Sequence, residues 1–173
     1  MTAQNINKNT KKATALSLSK GFTLIELLVV IGILAVLLAI TLIAINPARQ
    51  FGNANNTARR SHVTQILNSI GQYVAENKGQ LPAEVTALVA DDPAVALNAT
   101  NFPNLCAQLV PTFIPALPTN PSLNTNDITL ADCQAATPAW DTGYMIARDA
   151  NNRITVSAVA PNVDNNATIS VTR

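Results

Sequence analysis

The residues of this chain that could do chemistry lie in three places: a lone acid in a long apolar run, a pair of cysteines and a group of aspartates. The acid, Glu26, is the only charged residue in positions 22–45. At the centre of a membrane helix an ionised carboxylate costs about 2.5–3.5 kcal/mol, so such an acid usually has a partner or a function. The alternative is a carboxylic acid kept neutral near the membrane surface.

The two cysteines, Cys106 and Cys133, would enclose a loop of 28 residues. In an exported domain such a pair normally closes, and a loop of this size stabilises by about 3–4 kcal/mol in the chain-entropy model. Two unrelated buried thiols are the alternative, and the spacing is too long for a local zinc motif. The one histidine, His62, has no nucleophile or metal-ligand set around it. The sequence therefore predicts a protein that is not an enzyme and needs no cofactor.

The charge of the chain is unevenly distributed along its length. Four lysines and no acid precede position 22: Lys8, Lys11, Lys12 and Lys20. By the positive-inside rule this segment stays cytoplasmic, and the 24 apolar residues that follow span about 36 Å of helix, enough to cross a bilayer. Removing residues 1–21 changes the formal net charge from +1 to 1 − 4 = −3. We therefore expect no nucleic-acid partner for the main body of the chain.

Residues 21–30, GFTLIELLVV, resemble the class III signal of type IV pilins and of the pseudopilins of type II secretion. In that family a membrane aspartyl protease, the prepilin peptidase, cuts after the glycine and methylates the new amino terminus. The resemblance implies that Gly21 is the last leader residue and Phe22 the methylated first residue. It also implies that Glu26 serves assembly by pairing with the amino terminus of a neighbouring subunit. A secretory signal peptide would instead be cut after the apolar run, where Pro47 replaces a convincing site.

The resemblance favours a structural subunit of a type IV pilus-like filament. Its expected partners are the prepilin peptidase, the membrane, copies of itself and other pilins, and the pilus or secretion assembly machinery. The protein would cross the cytoplasmic membrane once, with its C-terminal domain outside, and then enter an extracellular or periplasmic filament. The alternatives are a type II secretion pseudopilin, a minor pilin of a DNA-uptake system and, from a different class, a single-pass membrane-anchored ligand-binding domain.

The aspartates Asp127, Asp132 and Asp141 lie near the predicted strands, at a place where some pseudopilins hold calcium. Calcium needs six to eight oxygen ligands, and nothing in the spacing provides that geometry. Acids of surface loops are the simpler interpretation, so calcium is a minor hypothesis.

The elements that must position these residues follow from hydrophobic spacing. Proline at position 47 predicts a kink or break after the membrane helix. An amphipathic helix then follows, with its polar face at Gln65, Asn68, Ser69, Gln72 and Glu76 and its apolar stripe at Val63, Ile66, Leu67, Ile70, Tyr73 and Val74. Three residues precede the stripe, either as contacts between subunits or as a solvated turn: Arg59, Arg60 and His62.

The sequence pattern of the C-terminal half predicts a small β-sheet. Short helices are expected at residues 83–90 and 105–110, and strands at 144–148, 154–160 and 167–172, the first two joined by a hairpin turn. An antiparallel sheet packed on the amphipathic helix gives an α+β, pilin-like fold. The predicted organisation is a leader at 1–21, a transmembrane half-helix at 22–46, an amphipathic half-helix at 47–79 and a globular domain at 80–173.

Overall fold

The computed structural model of the protein describes residues 21–159 and 168–173. The chain divides into two compact units, the first ending at Ala44 and the second being Ile45–Arg173. The α+β prediction is confirmed, because a long apolar helix precedes a four-stranded antiparallel sheet.

The apolar run forms helix α1, Leu24–Ile45, two residues shorter than predicted at its start. All of its residues are exposed. Among the described residues it is the one helix long and apolar enough, by length and composition, to cross a membrane.

The helical path is interrupted at Asn46, one residue before the predicted position. Asn46 has a φ of 47°, in the left-handed region that asparagine tolerates better than most residues. Its side-chain oxygen accepts a hydrogen bond from the backbone N–H of Arg49 at 3.4 Å, which caps helix α2, Pro47–Glu76. Pro47 occupies the first turn, where its missing N–H does no harm.

Helix α2 packs its apolar stripe against the sheet. Val63, Ile66, Leu67 and Ile70 are 0–3% exposed, and Tyr73 and Val74 are partly buried against the same core. The prediction that Ser69 lies on the polar face is wrong. Ser69 is buried, and its hydroxyl donates to the carbonyl of Ile66 at 2.7 Å, so the helix itself satisfies the polar group.

The sheet has the order β1-β2-β3-β4, with every neighbouring pair antiparallel. The strands are β1, Val95–Asn98; β2, Asp141–Arg148; β3, Ile154–Val159; and β4, Thr168–Thr172. Strands β2, β3 and β4 match the three predicted segments, although positions 160 and 167 fall outside the described residues. Strand β1 was not predicted. Helix α2 contacts β3 and β4.

Short elements lie between α2 and β1 and between β1 and β2. They are the helices α3, Ala83–Thr86, α4, Leu105–Leu109, and α5, Leu130–Cys133, and a 3-10 turn, Pro121–Leu123. The predicted helices at 83–90 and 105–110 are thus present but shorter. The core that they cover includes Phe102, Leu117 and Tyr144, each almost completely buried.

Candidate functional site

The predicted cleavage bond, between Gly21 and Phe22, precedes the first turn of α1. Residues 21–23 have no regular secondary structure, and Phe22 is 75% exposed. Apart from Gly21 itself and its chain neighbours, no atom of the described structure lies within 4 Å of the position that a Cβ on Gly21 would take.

Glu26 is the third residue of α1 and belongs to a helix cap. The hydroxyl oxygen of Thr23 accepts a hydrogen bond from the backbone N–H of Glu26 at 3.2 Å, and it lies 3.5 Å from the Glu26 carboxylate, to which it donates. A negative charge in the first turn also interacts favourably with the positive end of the helix dipole. Sequence reasoning missed this arrangement, although Thr23 and Glu26 have the three-residue spacing of a capping box.

Cys106 and Cys133 are joined in the structure as a disulfide between α4 and α5. Their Cα atoms are 5.4 Å apart, inside the range that a disulfide requires. Both residues are buried in the core. The geometry supports the predicted pairing over the alternative of two unrelated thiols.

Arg59 is neither a solvated residue nor free to contact another subunit, because it is 1% exposed. Its guanidinium donates to Asn56 Oδ1 at 2.6 Å, Asn120 Oδ1 at 3.0 Å and Ser122 Oγ at 2.5 Å. Burying a charge is costly unless hydrogen bonds replace its hydration, and these three oxygens do so. Arg59 therefore fastens α2 to residues 120–122. Nothing in the local sequence signals the two distant partners.

His62 and Arg60 have different surroundings from Arg59. His62 is half-buried, and its Nδ1 lies 2.9 Å from the hydroxyl of Tyr144. Burial raises the pKa of that hydroxyl above its usual value, and the positive charge of Arg59 offsets part of the effect. Tyr144 thus stays protonated and can donate its hydrogen to a neutral imidazole. Arg60 is exposed, so the predicted contact role stays open for this residue.

The three candidate calcium ligands line one open groove of about 680 Å³. Each carboxylate already accepts a hydrogen bond from a nearby backbone N–H: Asp127 from Thr119 at 3.1 Å, Asp132 from Thr129 at 2.8 Å and Asp141 from Gly143 at 2.8 Å. The Thr129 hydroxyl and backbone N–H lower the pKa of the Asp132 carboxyl. Within the part of the chain that the structure describes, no group of three or more acidic, histidine or cysteine side chains could hold a metal ion. Each of the three acids thus holds backbone of a nearby loop, and calcium stays a minor hypothesis.

Comparison with known families agrees with the signal at the amino end. Residues 16–42 match the family model described as the prokaryotic N-terminal methylation motif. The match includes Gly21, Phe22, Glu26 and most of α1, and it identifies a type IV pilin-like class III signal peptide. Neither the curated proteins nor the solved structures include a match to the chain.

Proposed function

We propose that the chain is a prepilin, cut by prepilin peptidase after Gly21, and that the product is a structural subunit of a type IV pilus-like filament. The observation that carries the proposal is helix α1. The N-terminal methylation motif covers most of this helix, and all residues of the helix are exposed in the described structure. Such a surface requires a membrane or other copies of the same helix to cover it.

Cleavage would create the second half of a charge pair. The new amino group at Phe22 would lie about one helical turn from Glu26 of the same chain. Among apolar helices, the amine of one copy and the carboxylate of the next would compensate each other, whereas either group alone would be costly. Pairing of this kind selects an incoming subunit and sets its register along the filament. The apolar faces of α1 then supply the non-directional attraction.

The outer location of the unit Ile45–Arg173 is part of the same proposal. The lysine-rich leader favours a cytoplasmic amino end, which places residues after α1 outside. The Cys106–Cys133 disulfide agrees with an oxidising compartment. The partners that follow are the prepilin peptidase, the filament assembly machinery and further pilin subunits.

Glu26→Ala tests the assembly role, with Thr23→Ala as its matched control. Thr23→Ala removes the helix cap, worth about 1 kcal/mol, and keeps the carboxylate. We expect Glu26→Ala to be cleaved and inserted normally but to give at least tenfold fewer filaments by electron microscopy, while Thr23→Ala assembles. Normal filament yield from Glu26→Ala contradicts the proposal. Equal losses in both variants would show that Glu26 acts only through the cap.

The competing class, a membrane-anchored ligand-binding domain, does not need cleavage. Gly21→Val is expected to block the predicted site, and its Cβ would meet no described atom within 4 Å other than those of its chain neighbours. If the protein is a filament subunit, the uncut variant should stay in the membrane and form no filaments. An uncut variant with full activity in the producing cell would favour the ligand-binding domain instead.

A further inference from the structure

The break at Asn46 limits where the outer edge of the membrane can lie. A helix leaves its last four carbonyls without helical partners, and α1 ends at Ile45. Irregular backbone does not occur where it faces lipid, because each unpaired polar group costs several kcal/mol there. Residues 42–50 are all exposed, so none of the residues that the structure describes shields the break. Asn46 must therefore lie outside the hydrocarbon, among headgroups or water.

The length of α1 then determines the position of Glu26. From Glu26 to Ile45 the helix rises over nineteen steps, about 28 Å, close to the roughly 30 Å of a hydrocarbon core. With Asn46 at the outer edge, Glu26 lies at the inner edge rather than at the centre. Its carboxylate can remain hydrated there, which avoids most of the cost of a buried charge.

The first turns of α2 carry two side chains suited to a lipid headgroup region. Phe51 is 70% exposed, more than the other large apolar side chains described in the unit that begins at Ile45, including Val89 at 65%. Side chains of a helix tilt toward its amino end, so the Phe51 ring leans back toward Asn46. Arg49 is exposed, and its long aliphatic stem can lie on apolar surface while the guanidinium reaches a phosphate.

We propose that residues 46–51, the interface segment, contact the outer lipid headgroups while the subunit waits in the membrane. Phe51 lies at the boundary between headgroups and acyl chains, and Arg49 binds lipid phosphate. Asn46 allows the backbone to leave α1 and begin α2 at that level. The contact holds α1 at one depth and keeps Glu26 at the inner edge, accessible to the amine of another subunit. This inference rests on the membrane insertion proposed above.

Depth-dependent fluorescence quenching of the full chain tests the proposal. Tryptophan is introduced by Phe51→Trp, by Ile33→Trp in the middle of α1, and by Val89→Trp as a matched exposed apolar control. The protein is inserted into vesicles of phosphatidylcholine and phosphatidylglycerol that carry bromine either near the headgroups or near the chain ends. The parent chain, whose single tryptophan Trp140 is 6% exposed, supplies the baseline.

We expect Phe51→Trp to be quenched at least threefold more by shallow than by deep bromine, with the opposite order for Ile33→Trp and no quenching for Val89→Trp. If Phe51→Trp is not quenched while Ile33→Trp is quenched, the proposed lipid contact of the interface segment is contradicted, but membrane insertion is still supported. Deep quenching of Phe51→Trp also overturns the proposed depth. Failure to quench Ile33→Trp would overturn membrane insertion itself.

The role of Arg49 has its own readout in the same assay. Removing phosphatidylglycerol should weaken the shallow quenching of Phe51→Trp at least twofold, because an arginine near the surface attracts anionic lipid. Adding Arg49→Gln should abolish that dependence on lipid charge. An unchanged dependence would show that Arg49 does not bind the lipid phosphate.

Discussion

Helices α1 and α2 are consecutive in the chain, and their apolar residues have opposite surroundings. In α1 the apolar side chains surround the helix and all are exposed, whereas in α2 they form one stripe that is 0–3% exposed from Val63 to Ile70. The apolar stripe of α2 is buried within one chain because β3 and β4 cover it. Among the described residues, nothing covers the surface of α1, so we expect its partner to be another molecule or a membrane. Apolar content alone does not separate these roles, but its distribution around the helix does.

The same contrast holds for the ionisable groups of the two helices. Arg59 of α2 finds three neutral oxygens inside the chain and is fully buried. Glu26 of α1 is exposed, and its carboxylate accepts a hydrogen bond from the Thr23 hydroxyl. The charge of Arg59 is thus compensated inside the fold, whereas we propose that the exposed charge of Glu26 is available for assembly.

Removing the disulfide should produce the largest change in the stability of the unit Ile45–Arg173. With both Cys106→Ser and Cys133→Ser, we expect the free energy of unfolding to fall by about 3–4 kcal/mol, because the unfolded chain regains the freedom of a 28-residue loop. Urea denaturation in detergent, followed by the fluorescence of Trp140, measures this unit. The helical circular dichroism of α1 should persist beyond the transition. Simultaneous loss of all helical signal would contradict the division into two units.

A matched pair of isoleucines compares the helices directly. Ile66 is 0% exposed in α2, and Ile33 is 56% exposed in α1. Ile66→Ala leaves a cavity and should cost about 3 kcal/mol in the same assay. Ile33→Ala should change the free energy of unfolding by less than about 0.5 kcal/mol. Equal losses in the two variants would mean that α1 also packs within the folded chain.

The sheet was largely predictable because its strands have local signals. The hairpin turn signal that begins at Asp149 predicts β2 and β3 on its two sides, and the structure pairs them antiparallel with Ile146 opposite Val156. Strand β1 was missed because its four residues, Val-Ala-Leu-Asn, have no alternation of their own. It exists because Val95 pairs with Ile146, about fifty residues away. Pairing at that separation leaves no mark in the local sequence.

The residues of the candidate site also differ in whether a local sequence signal predicts them. Gly21, Phe22 and Glu26 lie in one contiguous motif, so the sequence alone is enough to predict them as site residues. The burial of Arg59 depends on Asn120 and Ser122, which the fold brings from more than sixty positions away. A pattern of charges could not reveal that these residues meet.

Arg59→Met tests whether the buried charge is structural. The substitution removes the Arg59 donor from Asn56 Oδ1 and leaves Asn120 Oδ1 with only the backbone N–H of Ser122, so it should destabilise the unit Ile45–Arg173 by about 2 kcal/mol. Arg60→Met, on the exposed neighbouring position, is the matched control and should change stability by less than about 0.5 kcal/mol. Urea midpoints measure both. A larger loss of stability in Arg60→Met than in Arg59→Met would contradict the structural role of Arg59.

Asp132 should give the smallest effect, confined to acid pH. Its folded-state pKa is lowered from 3.8, so the ionised carboxylate adds stability above that value. The contribution is lost as pH falls below 3.8 through the folded-state pKa. A pH titration of the Asp132 carboxyl by NMR should give a midpoint below 3.8. A midpoint at or above that value would show that the Thr129 hydrogen bonds do not persist in solution.

The most direct test of the central proposal, that cleavage creates a free amino group at Phe22 for assembly through α1, is amino-terminal mass analysis of the protein extracted from its membrane. We expect a chain that begins at Phe22 with one methyl group on its amine and lacks residues 1–21. An intact chain from position 1, or a start beyond the apolar run, would contradict it.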